Sequence, residues 1–167
     1  MNLQEFFDYK NQIMKELCCN ADIVTLVTDN EDSPVPNHTL AYSQIFPYEF
    51  VPETVDNGQT FICFDSDIVE VVNKTFYVPV LYVWVFTHKS KMRLPEGGVR
   101  VDRLASEIDK ALNGSRYFGL GELDLDNVSR FSPITDYQGR VLTYYAKDFN
   151  IPSSKQPPSN RKNIYKK

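Results

Sequence analysis

Residues 76–87 read FYVPVLYVWVFT, and no other stretch restricts the fold so tightly. Nearly every residue is β-branched, aromatic or aliphatic. One alternation carries Val78, Val80, Tyr82, Trp84 and Phe86, and the other Tyr77, Leu81, Val83 and Val85. A strand apolar on both faces is predicted to be central and covered on both sides. A polar, basic loop at 88–98 follows and ends in Gly97-Gly98. Residues 99–112 then switch to helical spacing, with Val101, Leu104, Ala105, Ile108, Ala111 and Leu112 on one stripe and Asn113-Gly114 as a stop.

The flanking chain supplies the rest of the architecture. Residues 2–19 predict a helix with Asn2 as cap and Leu3, Phe6, Phe7, Ile13, Met14 and Leu17 as its buried stripe. Residues 21–27 predict a second short helical turn. Residues 28–37 form an acidic loop broken by prolines, and 40–51 run extended with several large apolar side chains. The Asn57-Gly58 turn precedes a short strand at 60–64. Asp65-Ser66-Asp67 breaks it, and 68–72 make another strand, turned by Asn73-Lys74 into the central one. After the helix come a glycine-bearing loop at 115–121, a strand at 123–131 with Leu123, Leu125 and Val128 inward, a turn at 135–140 and a last strand at 141–149. This order predicts an α+β fold: a mixed, mainly antiparallel sheet with an N-terminal helix and a second amphipathic helix packed on one side. Residues 1–150 are expected to form one domain. Residues 151–167, rich in Pro, Ser, Asn and Lys, are expected to be a basic disordered or extended tail.

Charge divides along the same boundary. The whole chain is −4, and residues 151–167 carry Lys155, Arg161, Lys162, Lys166 and Lys167 with no acid. Subtracting that +5 leaves −9 for the domain, which disfavours nucleic-acid binding over most of its surface. No apolar run approaches the roughly 20 residues of a membrane helix, and the first ten residues lack the pattern of a secretory signal. Three cysteines, Cys18, Cys19 and Cys63, show no metal spacing and are expected to be free thiols, mostly buried.

Few residues offer chemistry. His38 and His88 stand apart from any second ligand, and Cys63 reads as a buried strand residue. Asp65, Asp67 and Glu70 form a carboxylate cluster of the kind that binds metal in nucleases, although strand capping explains it more simply. The denser signal is cationic: Lys89, Lys91, Arg93, Arg100 and Arg103 fall within fifteen residues. Such a loop can bind nucleic acid, lie solvated, line a pore or dock a neighbouring subunit.

The runs IVTLV from Ile23, IFPYEFVPET from Ile45 and YVWVFTHKSKMRLPEGGVRVDRLASEIDKALN from Tyr82 resemble the small neck proteins of tailed bacteriophages, in particular tail terminators, also called tail completion or head–tail joining proteins. The resemblance covers roughly residues 1–150. It implies a structural virion protein, a homo-oligomer forming a hexameric ring, that caps the tail tube protein and meets the head completion or connector protein. It implies no enzyme activity and no cofactor, assembly in the host cytoplasm, and a passing contact of the basic loop with phage DNA. The competing readings are a small metal-dependent nuclease built on Asp65, Asp67 and Glu70, and a nucleic-acid-binding module built on the basic loop.

Overall fold

Thr60–Val72 (β2) and Phe76–His88 (β3) pair antiparallel over their whole length, from Thr60 opposite Thr87 to Val72 opposite Phe76. The computed structural model describes residues 3–29, 39–52, 58–72, 76–118 and 121–147. The cap at Asn2, most of the acidic loop, His38, the Asn73-Lys74 turn and the 151–167 tail lie outside the described residues. The sheet is completed by the two-residue strand Ile45–Phe46 (β1), by Glu122–Phe131 (β4) and by Tyr137–Lys147 (β5). Its order is β1-β2-β3-β5-β4, with β1 parallel to β2 and every other pair antiparallel. β3 is therefore central.

Three helices cover one face: Leu3–Cys19 (α1), Ala21–Thr28 (α2) and Arg100–Leu112 (α3). Ile62, Phe64, Leu81, Val83, Val85, Leu142 and Tyr144 supply the sheet side of this core, and Ile13, Leu17, Ile23, Leu104, Ile108 and Leu112 the helix side. Asn20 caps α2 by accepting from the backbone N–H groups of Asp22 (3.1 Å) and Ile23 (3.2 Å). Gln44 locks β1 in place: its amide donates to Val27 O and Thr60 O, both at 3.1 Å, and so bridges α2 to the sheet.

The opposite face is covered only in part. Phe46, Phe50, Phe61, Phe86 and Tyr137 form an aromatic cluster there, with Phe46 stacked on Phe50 at a centroid distance of 4.1 Å. The extended segment carrying Phe46 and Phe50 thus fills the place that a second helical layer would take. Beyond it, Tyr82 and Trp84 stack on each other and stay partly exposed.

Several expectations are corrected. Asp65-Ser66-Asp67 does not end a strand: β2 runs straight through, and its irregularity falls between Ile68 and Glu70. Pairing with the long β3 satisfies the backbone there whatever the side chains prefer. β5 begins at Tyr137, not 141. On α1, Phe7 is 62% exposed while Tyr9, outside the expected stripe, is 2% exposed and meets Phe118 edge-on at 6.4 Å. On β4, Leu123 is buried but Val128, beyond the irregularity between Leu125 and Asn127 on this edge strand, is 48% exposed.

Candidate functional site

The basic loop grows out of β3. His88 ends the strand and caps a short 3-10 turn at Lys89–Lys91, its Nδ1 accepting from Ser90 N at 3.3 Å. Its ring also rests edge-on against Tyr137, at 5.3 Å. The turn back to α3 depends on Gly97 and Gly98, with φ of 99° and 94°, a region that other residues enter only under strain. Leu94, buried, pins this turn beneath the loop.

The five cations have different surroundings. Arg100 is buried. Its Nε donates to Lys91 O at 2.7 Å, its Nη1 to Leu26 O at 2.8 Å, and its Nη2 pairs with Asp29. Asp29 is the C-cap of α2 and adopts φ 60°, ψ 25°. The guanidinium therefore sits at the negative end of α2 and satisfies one of its terminal carbonyls. Arg100 is an internal strut, which the density of cations in the sequence does not reveal. Lys91 shares Asp29 at 3.0 Å, and Lys89 pairs with Asp136 at 3.1 Å. Arg103 pairs along its own helix with Glu107 at 3.1 Å, and Lys110 reaches the same carboxylate at 2.9 Å. Arg93 is exposed and makes no ion pair among the described residues.

The fold adds cations that the sequence reading missed. Arg130 on β4 lies directly opposite Arg140 on β5. Arg140 pairs with Asp102 of α3 at 2.8 Å, whereas Arg130 is exposed and has no ion pair among the described residues. The two line a cleft of about 540 Å³ with Phe131, Ser132, Gln138 and Gly139. Because β3 ends where β5 begins and β4 ends, Lys89, Arg93, Arg103, Arg130 and Arg140 gather at one end of the sheet. The other end of β4 carries Glu122, Asp124 and Asp126. Isolated arginines in two separate strands give no local signal. Register alone brings them together.

The other candidates that the structure describes make local contacts. Asp65 pairs with Lys10 at 2.6 Å, and Asp67 accepts from its neighbour Ile68 N at 2.7 Å. The side chain of Glu70 lies outside the described residues. Among the described residues no three His, Cys, Asp or Glu side chains converge to hold a metal. Cys63 is buried, and burial pushes its thiol up to about 12, so it stays protonated near neutral pH. Cys18 is likewise buried and raised to about 11 by burial and by Cys19, while Cys19 itself is exposed. A second groove, of about 620 Å³, lies between α1, α2 and the end of α3, with Glu16, Glu107 and Tyr117 on its walls. Tyr117 is 90% exposed. No helix among the described residues is long and apolar enough to cross a membrane.

No curated protein and no solved structure matches the chain. A family model does: it covers residues 20–146, from the cap of α2 nearly to the end of β5. That span holds the sheet up to the last residue of β5, with α2, α3 and the basic loop, and by it the chain belongs to the phage-related YomW family.

Proposed function

We propose that this protein is an architectural subunit of a phage neck, one of several identical chains that close into a ring at the head-proximal end of the tail tube. The observation that carries this reading is the polarity of the domain. Where β3 and β4 end, Lys89 and Arg140 are paired with Asp136 and Asp102, and Arg93 and Arg130 are exposed cations with no ion pair among the described residues. The first half of β4 carries Glu122, paired with Arg116, together with Asp124 and Asp126. A closed head-to-tail ring needs two different, complementary patches on each subunit, and the exposed Arg93 and Arg130 at one end, with acids along the first half of β4, are compatible with them. Membership in a phage-related family supports the setting. In this reading the role is structural and not enzymatic, the ring is a hexamer, and the partners are the tail tube protein and a head completion or connector protein. Arg93 and Lys89 face a neighbouring subunit or DNA passing through the channel.

Light scattering on the purified protein, with and without phage tails, tests the proposal. A single ring-sized species that co-sediments with tails is the expected result. A monomer that binds no tail at any salt concentration overturns it. Divalent-metal-dependent cleavage of DNA by the same preparation would replace it with the nuclease reading.

A further inference from the structure

β4 is an edge strand: residues 113–115 engage only the first half of its outer side, where Gly114 N donates to Leu123 O at 2.7 Å, Leu123 N to Ser115 O at 3.1 Å and Leu125 N to Asn113 Oδ1 at 3.3 Å, and among the described residues no strand pairs with the edge beyond Leu125. Residues 126–130, DNVSR, are exposed without a break, on both faces of the strand. The segment is complementary to itself. We propose that this edge pairs antiparallel with the same edge of a second copy, about a two-fold axis through Val128.

Such an axis sets Val128 opposite its own copy, Asn127 opposite Ser129, and Asp126 opposite Arg130, each polar pair occurring twice. The charges that meet are ones the monomer leaves over. Arg130 faces Arg140 on β5, a like-charged neighbour whose own carboxylate partner is Asp102. Asp126 falls in the irregularity between Leu125 and Asn127, so it has no partner residue on β5. It also makes no ion pair among the described residues. At the centre, Val128 exposes 48% of its surface on a strand otherwise polar along this stretch. Edge strands present free backbone N–H and C=O groups that template such pairing. Acids near one end and an arginine near the other favour the antiparallel, in-register arrangement over a parallel one, which would oppose like charges. The occupant is therefore a second copy of this chain, not an unrelated strand.

The contact does not rest on the ring reading. It makes pairs whether or not a ring forms, and added to a closed head-to-tail ring of six it stacks two rings with dihedral symmetry.

The test places a cysteine on the axis. Opposed residues in an antiparallel pair have Cα atoms about 4.5–5.5 Å apart, within disulfide range. Val128→Cys in a Cys19→Ser background, treated with oxidised glutathione, should give a covalent dimer in high yield. Arg130→Glu should weaken the dimer measured by light scattering roughly tenfold. The double change Asp126→Arg with Arg130→Glu should restore it, because the swapped charges still meet. All these positions are exposed, so folding is preserved and circular dichroism confirms it. Absence of a cross-link in the Val128→Cys protein, or an unchanged association of Arg130→Glu, overturns the proposal. A ring without the cross-link rejects this contact alone. A cross-linked dimer without a ring rejects only the neck reading.

Discussion

Arg100, buried in the first turn of α3, forms an ion pair with the partly exposed Asp29, which closes α2 in a left-handed conformation. One guanidinium thereby ties the end of α2, the start of α3 and the carbonyl of Lys91 in the basic loop. Arg100→Met should destabilise the protein by about 1–3 kcal/mol in urea unfolding, because it leaves the Lys91 and Leu26 carbonyls without their donor and Asp29 with Lys91 alone. Arg100→Lys should fall between, since a lysine cannot fork to three acceptors. Wild-type stability in Arg100→Met would show that the junction holds without this strut.

Gly139 offers a sharper steric test. It lies opposite Phe86 across the β3–β5 ladder, and a Cβ placed there would collide with Val85 O and sit 2.7 Å from Phe86 Cα. Backbone cannot yield as a flexible side chain can. Gly139→Ala should cost about 1–3 kcal/mol or more and lower the melting temperature accordingly. An unshifted melting curve would contradict the register of these strands.

Burial predicts a contrast between two apolar residues at opposite ends of the exposure scale. Ile108 is fully buried under α3, and Ile108→Ala should cost about 2–5 kcal/mol. Val128→Ala, on the exposed edge, should change the stability of the monomer by less than about 0.5 kcal/mol. Equal effects would mean that α3 does not pack on the sheet as described.

The thiols give a pH dependence with a definite sign. Burial raises Cys63 from 9.0 to about 12. The unfolded thiol therefore ionises first, and the unfolded state binds fewer protons than the native one above pH 9. The stabilising contribution is complete below that pH and is lost as pH rises through the folded value. Unfolding free energy should decline between about pH 9 and 12, less steeply in Cys63→Ala. In the native protein at neutral pH a thiol reagent should modify Cys19 quickly and Cys18 and Cys63 only on unfolding. Rapid reaction of all three would show that the sheet opens at Cys63.

The basic loop separates local from assembly effects. Lys89→Glu and Lys91→Glu each set a carboxylate against Asp136 or Asp29 within the chain, so they should disturb the loop itself by up to about 1 kcal/mol. Arg93→Glu disturbs no internal pair among the described residues. Its effect should appear only in co-sedimentation with tails, as a loss at low salt that recovers when added salt screens the repulsion. Normal tail binding by Arg93→Glu at every salt concentration would place this residue in free solvent.

The layers of this protein are legible in its local pattern. The doubly apolar run at 76–87 had to be a central strand, and the stripe from Val101 to Leu112 had to be a helix lying on the sheet. Both follow from local periodicity and apolar burial, which act within a few residues. The placement of the charges is not legible in this way and comes from the completed fold. Lys89, Lys91, Arg93, Arg100 and Arg103 look alike in the chain, yet Arg100 is an internal strut, three others pair within the chain, and Arg93 is left over among the described residues. Arg130 and Arg140 become neighbours only through strand register, and Val128 is exposed on the edge strand although its neighbour Leu142 is buried. The physical reason is range. Apolar periodicity is set by a residue's own helix or strand, whereas the partner of a charge is supplied by whatever distant segment the fold brings beside it.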